Sequence, residues 1–100
     1  MELGRMLTEI HPEEARAFAI YGDFLHRDGK VKEARELYRK ALDLDKESFL
    51  VWQQLLVSES SLNDYAAMLS ESREALSLFP EQPVVYLFNG IARMQIGQTD

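Results

Sequence analysis

The chain has 100 residues, of which 46% are hydrophobic and 28% charged, and 17 acidic against 11 basic side chains give a net charge of −6. This composition fits one soluble globular domain, and the absence of cysteine excludes disulfides and cysteine-ligated zinc. The negative charge disfavours nucleic acid and anionic membranes as partners, and no apolar run reaches the length of a membrane span, so we expect no membrane insertion.

Good helix formers with apolar residues spaced three and four apart fill the chain between its glycines and prolines. Few segments combine β-branched residues with strict alternation, so we expect no strands. Ser48 and Asp64 are suitable N-caps for the helices that follow them. In chain order, we predict helices at 14–27, 31–45, 49–61, 64–79 and 83–96.

A regular period runs through these helices, at the spacing of about 34 residues that is typical of one class of helical repeat. Aromatic residues recur at this period: Phe18, Trp52 and Tyr86. Residues that readily adopt a positive φ also recur at it: Gly29, Asn63 and Gly97. Each of these is predicted to end a helix in a tight turn. Small residues such as Gly22 and Gly90 are expected where helices approach closely. Large side chains such as Trp52 and Tyr86 are expected to fill the gaps beside them.

The pattern resembles the tetratricopeptide repeat, whose consensus runs W-x2-L-G-x2-Y, then A-x3-F, then P. The first copy matches it at Phe18, Tyr21, Gly22, Leu25, Ala34, Tyr38 and Ala41. The second copy matches at Trp52, Leu55, Ala75 and Pro80. It departs from the consensus at Leu56, Glu59, Met68 and Ser72. The third copy stops after Tyr86, Gly90, Ala92 and Gly97.

The resemblance implies an all-α fold, a right-handed α-α superhelix of antiparallel helix pairs. We assign residues 15–48 to a first repeat, 49–82 to a second, and 83–100 to the first helix of a truncated third repeat. Residues 1–12 are assigned to the end of an earlier repeat's second helix, because they continue the same register backwards. We therefore expect the chain to belong to a longer repeat array.

In the family that this chain resembles, the first helix of each repeat lines a concave groove. The resemblance places Arg16, Ala19, Asp23 and His26 of the first repeat in this groove. From the second repeat it places Leu50, Gln53 and Val57 there, with Gln54 as a further polar group. From the third it places Val84, Leu87, Ile91 and Met94. The groove is predicted to be polar at its N-terminal end and apolar at its C-terminal end.

Some members of the family hold the C-terminal carboxylate of a chaperone between lysine, asparagine and arginine side chains. The matching positions here are Ala19, Asp23, Gln54, Val84 and Phe88. None of them is basic, and Asp23 would repel a carboxylate. We therefore expect no binding of that kind.

Catalytic and cofactor motifs are absent from the sequence, so we expect neither an enzyme nor a bound cofactor. His11 and His26 have no cysteine beside them, and we expect no metal site. The acidic series that starts at Asp43 resembles a calcium loop, but Ser48 and Gln54 stand where glycine and glutamate are required.

The predicted function is a protein–protein interaction module that binds a peptide or a helix of a partner in its groove, without catalysis. The alternative is a structural spacer or a self-association surface within a larger multi-repeat protein. In that case the apolar groove row contacts further repeats or a second copy of the chain, as in a homodimer formed through the exposed apolar end. The sequence determines neither the partner nor the compartment, which could be cytoplasmic or periplasmic.

Overall fold

The computed structural model describes residues 12–97, which form five helices connected by tight turns and contain no strand. The helices are α1 (Pro12–Arg27), α2 (Val31–Leu44), α3 (Phe49–Ser61), α4 (Tyr65–Leu78) and α5 (Pro83–Gly97). Every bound lies within two residues of the predicted one. The all-α helical repeat predicted from the sequence is therefore confirmed.

The first helix begins earlier in its repeat than the equivalent helices α3 and α5 do. It starts at Pro12, because proline is well suited to a first helical turn and Glu13 and Glu14 then lie where the helix dipole favours acids. Residues 1–11 lie outside the described part of the chain, and so does nearly all of the predicted earlier helix at 1–12. Pro12 itself belongs to α1 rather than to that helix.

Two turns at equivalent positions of successive repeats have the same backbone conformation. Gly29 has a φ of +84° and Asn63 a φ of +57°, both in the left-handed region. The following amides close each turn, since Lys30 N donates to Leu25 O at 2.8 Å and Asp64 N donates to Glu59 O at 2.9 Å. Both helices therefore end in a Schellman motif. Gly97, the third member of the series, has no positive φ and is the last described residue of α5, and the residues of the turn predicted after it lie outside the described part of the chain.

Consecutive helices pack against one another along an elongated molecule, and α3 additionally touches α5. The central helix α3 is buried on most of its circumference, whereas α2 buries a single stripe. That stripe consists of Ala34, Tyr38, Ala41 and Leu42, which follow the three-to-four spacing of one helical face. The core thus lies between α2 and α4, with α3 at its centre.

Two of the three recurring aromatic residues, Trp52 and Tyr86, donate equivalent hydrogen bonds. Trp52 Nε1 donates to the carbonyl of Lys46 at 2.8 Å, and the Tyr86 hydroxyl donates to the carbonyl of Pro80 at 2.7 Å. Each acceptor precedes its donor by the same interval, and the two acceptors are separated by one repeat period. Trp52 is buried as predicted, and Phe18 packs partly against the same core. Tyr86, expected to fill a gap, is 53% exposed because no described helix follows α5.

Gly22 lies where α1 and α2 approach most closely. A Cβ added to Gly22 would lie 2.9 Å from Cε1 of the buried Tyr38, so glycine is required for this contact. The same role was predicted for Gly90, but no atom lies within 4 Å of the position of its Cβ, so that prediction is wrong for the described residues. The N-cap predicted at Asp64 accepts a hydrogen bond from Ala67 N, whereas Ser48 caps α3 without a side-chain bond.

We predict opposite effects for alanine at the two helical glycines. Gly22→Ala forces the Tyr38 ring to move and should destabilise the fold by about 1–3 kcal/mol. Gly90→Ala meets open space within α5 and should stabilise it by about 0.5–1 kcal/mol, because alanine restricts the unfolded chain. Urea unfolding of both variants measures the difference, and equal effects would contradict the assigned close approach.

Candidate functional site

A groove runs between α1 and α3, and its floor is formed by α2. It encloses a cavity of about 340 Å³. Five of the predicted groove residues line this cavity: Arg16, Ala19, Asp23, Leu50 and Gln54. The small side chains Ala15, Ala19 and Ala41 leave the space open, and Ile20 and Leu50 stand exposed at its rim. We call this feature the α1–α3 groove.

A smaller hollow of about 190 Å³ continues the α1–α3 groove along α1. It shares Asp23, Tyr38 and Gln54 with the larger cavity and adds the predicted residue His26 together with Arg27. The Nε2 atom of His26 is buried and has no hydrogen-bond partner among residues 12–97. This end of the groove therefore contains unused hydrogen-bonding capacity.

Asp23 is held in place by a tyrosine on the groove floor. The Tyr38 hydroxyl donates to Asp23 Oδ1 at 2.5 Å. Burial raises the pKa of Tyr38 well above its usual range, and the hydrogen bond to Asp23 and the charge of that carboxylate raise it further. Tyr38 is therefore a neutral donor that fixes the orientation of the carboxylate. The sequence predicted Tyr38 only as a consensus packing residue, since its contact with Asp23 depends on how α1 and α2 pair.

The other predicted groove residues lie outside the two hollows. Gln53 and Val57 are half-buried on α3, and Val84 and Ile91 pack partly against the core. Leu87 and Met94 are exposed on α5. The predicted apolar end is therefore an open helix face, whereas the enclosed space lies at the predicted polar end. The contribution of Ile20, Asp45 and Ser48 to the cavity was not predicted.

A cluster of charged side chains joins α2, α3 and α4 away from the groove. Arg39 Nη2 lies 3.3 Å from Glu59 Oε2 and 3.0 Å from Glu71 Oε2, and its Nη1 lies 3.2 Å from Glu36 Oε2. One turn before Arg39, Arg35 Nη1 donates to Asp64 Oδ2 at 2.7 Å. The hydrogen bond from Arg35 lowers the pKa of Asp64, and so does the bond from the amide of Ala67. These contacts connect the second helix of one hairpin to both helices of the next.

Glu59 is fully buried within this cluster. Burial raises its pKa from the ordinary 4.5 to about 9, as do its hydrogen bond to Glu71 and the charge of that neighbour, while Arg39 and Arg35 oppose the rise. A pKa raised this far favours the neutral form of Glu59 at neutral pH. A carboxyl group with a raised pKa is also typical of acid–base catalysts, and Glu71 lines a surface hollow between α2 and α4, but Glu59 itself does not line that hollow or the α1–α3 groove. The ion pairs of Arg39 with Glu59 and Glu71 connect the three helices.

Residues 12–97 contain neither a candidate metal site nor a candidate membrane span. No three histidine, cysteine or acidic side chains converge there in a way that could hold a metal ion. None of the five helices has the combined length and hydropathy needed to cross a bilayer.

Paired helices with repeated turns define a helical-repeat protein. Residues 15–58 match the sequence model of the tetratricopeptide repeat. The predicted resemblance to this family is thereby confirmed, and residues 15–58 carry tetratricopeptide repeat sequence.

Two known proteins show how far this similarity extends. Human protein O-mannosyl-transferase TMTC3 is 30% identical over 95 residues, which are 94% of this chain and 10% of that protein. The chain thus spans about a tenth of the curated relative that it matches. The first tetratricopeptide repeat domain of Spaghetti (RPAP3), bound to the HSP90 peptide SRMEEVD, superposes with a TM-score of 0.80 at 21% identity. The match covers 90% of this chain and 71% of that one, and it shows the shared fold.

We predict that Glu59→Gln removes a pH dependence of folding stability. The folded state holds a proton on Glu59 between the unfolded pKa of 4.5 and the folded pKa of about 9. The contribution of Glu59 to the free energy of unfolding is therefore fully present below pH 4.5. It decreases by up to about 1.4 kcal/mol per pH unit as the pH rises towards about 9. Glutamine keeps the shape of the side chain but cannot titrate, so the free energy of unfolding of Glu59→Gln should change less with pH than that of wild type.

Glu74→Gln is the matched control for this experiment, because Glu74 forms an exposed ion pair with Lys46. Its unfolding free energy should follow the wild-type pH curve within about 0.5 kcal/mol. Urea unfolding between about pH 6 and pH 8 makes the measurement in a range where ordinary carboxylates do not titrate. Parallel curves for wild type and Glu59→Gln would show that Glu59 is ionised in the folded protein.

Proposed function

We propose that this chain is a protein–protein interaction module that binds an extended segment of a partner protein in the α1–α3 groove, without catalysing a reaction. The observation that carries the proposal is the cavity of about 340 Å³ between the first helices of two adjacent hairpins. This volume is at the lower end of the range for ligand sites and suits a few side chains of a peptide.

The chemistry of the groove supports binding to a peptide. Three alanines, Ala15, Ala19 and Ala41, line the cavity and can contact apolar ligand atoms, and the exposed apolar side chains of Ile20 and Leu50 also line it. Polar groups at Arg16, Asp23 and Gln54 stand beside this apolar surface and can orient a ligand. A few polar groups around an apolar centre are typical of recognition sites.

The fold itself also supports the proposal. The RPAP3 domain, which shares this fold, is bound to a peptide of HSP90. A stack of helix pairs can therefore present a surface that accommodates an extended chain. The peptide of that domain is acidic, whereas the wall of this groove contains Asp23 and Asp45, so we do not propose the same ligand.

A display library of random linear peptides tests the proposal. Peptides captured by the wild-type chain should bind Leu50→Asp at least about tenfold more weakly, because the substitution places a charge at the apolar rim. Leu50 is 71% exposed, so its replacement should leave the fold intact. Binding is measured by fluorescence anisotropy with labelled copies of the captured peptides.

Ala66→Asp is the matched control, since it adds the same charge on the exposed first turn of α4, away from the groove. Peptide affinities for this variant should equal those for wild type. If captured peptides bind Leu50→Asp as well as wild type, the α1–α3 groove is not the binding site.

The open face of α5 supports a second candidate, self-association into a homodimer. Tyr86, Leu87 and Met94 are all more than half exposed on this helix, which is more apolar surface than one helix usually leaves in water. A second copy of the chain could cover it.

Leu87→Asp tests the second candidate. If the chain self-associates through α5, sedimentation velocity at increasing concentration should show a dimer for wild type and a monomer for this variant. Helical content should not change, because Leu87 is 59% exposed. A wild-type chain that remains monomeric at all concentrations would eliminate this candidate and leave the groove proposal unaffected.

A further inference from the structure

The α1–α3 groove contains an oriented carboxylate without a cationic partner. Asp23 is half-buried on α1, and the Tyr38 hydroxyl occupies its Oδ1 atom. Among residues 12–97 no lysine, arginine or histidine nitrogen lies within ion-pair distance of Asp23. Its second oxygen remains available as an acceptor. A fixed carboxylate of this kind attracts a cation at little cost in conformational entropy.

Other groups along the groove wall add to the negative potential. Asp45 lines the same cavity, accepts only the backbone amide of Glu47, and has no ion pair within the described residues. Asp45 also follows the last turn of α2, which contains no basic residue, so no cation in that turn offsets the negative end of the helix dipole. Arg16 is the one basic residue that lines the larger cavity, against two carboxylates.

The hollow next to Asp23 contains further polar groups that a ligand could satisfy. His26 Nε2 is buried and has no hydrogen-bond partner among residues 12–97, and the Gln54 amide lies on the opposite wall. Arg27 also lines this hollow, but its guanidinium carbon lies 5.9 Å from the centre of the Phe24 ring, which holds it over that ring. An incoming side chain would therefore find unused hydrogen-bonding groups close to the oriented carboxylate.

We propose that the α1–α3 groove selects a partner segment with a lysine or arginine, whose cationic end binds Asp23, next to an apolar residue. The apolar side chain occupies the neighbouring alanine-lined cavity beside Ile20 and Leu50. A carboxylate at the same place would be repelled by Asp23 and Asp45. This inference rests on the proposed function, because it names the chemistry of the ligand of the same groove.

The peptides captured from the random library test the inference through their charge. Peptides that lose binding to Leu50→Asp should be enriched in lysine and arginine relative to the unselected library. A synthetic copy of an enriched peptide should bind Asp23→Asn about tenfold more weakly than wild type. Asparagine retains an oxygen for the Tyr38 hydroxyl, so the substitution removes the charge and preserves the contact that orients it.

Two controls isolate the effect of charge at Asp23. Asp43→Asn removes the same charge from an exposed position of α2 outside the groove and should leave affinity unchanged. A peptide whose basic residue is replaced by glutamine should bind wild type and Asp23→Asn equally, since it has no charge to lose. Raising the salt concentration should weaken wild-type binding more than binding to Asp23→Asn.

The outcomes separate this inference from the proposed function. Captured peptides that depend on Leu50 but show no basic preference, or an acidic one, would overturn the inference and leave groove binding intact. Equal binding of an enriched basic peptide to wild type and Asp23→Asn would have the same consequence. Captured peptides that are insensitive to Leu50→Asp would overturn both proposals.

Discussion

The left-handed turn between paired helices is the constraint on which the rest of this structure depends. At Gly29 and Asn63 the backbone adopts a positive φ, and the next amide bonds back to a carbonyl of the preceding helix. This closure reverses the chain over a short turn, so that each second helix packs antiparallel on its first. Because the same turn recurs one repeat period later, the two hairpins have the same geometry, and α1 and α3 become neighbouring walls. The α1–α3 groove follows from that repetition.

The two hairpins use complementary side-chain volumes to reach the same packing. In the first, Gly22 on α1 leaves room for the large ring of Tyr38 on α2. One period later the sizes are exchanged, with Leu56 on α3 and Ser72 on α4, both fully buried. Ser72 has space to accept a hydrogen bond from Asn89 Nδ2 at 3.0 Å, which connects α4 to α5. A departure from the repeat consensus at two positions therefore preserves the fold, because interior volume is conserved between them.

Local sequence determined the helices and turns well, because the signals for them lie within a few residues of one another. The repeat period that relates Trp52 to Tyr86 also relates the hydrogen bonds that they donate to an earlier carbonyl, which the sequence did not predict. The burial of Glu59 could not be predicted in this way. At this position the sequence showed only that the aromatic residue of the repeat consensus is missing. The buried carboxyl of Glu59 is stabilised through Arg39 and Glu71, which lie on two other helices.

The resemblance to the repeat family gave positions for the candidate site but not its shape. It placed Arg16, Asp23 and Leu50 in one groove, and these three residues line the cavity between α1 and α3. The enclosed volume depends on how far α2 lies below them, which is set by the contact between Gly22 and Tyr38. The apolar residues of α5 were placed in the groove by the same resemblance, yet Leu87 and Met94 are exposed. An enclosed cavity requires side chains beneath the ligand as well as beside it.

The contact that shapes the groove also determines its chemistry. Tyr38 can reach Asp23 only because the residue beside it, Gly22, has no side chain to hold the ring away. The same tyrosine therefore sets the spacing of the hairpin and orients the carboxylate that we propose as the anchor for a basic ligand. In our proposal, the sign of this one oriented charge decides the ligand class of the groove, and the helical frame determines where the charge is presented.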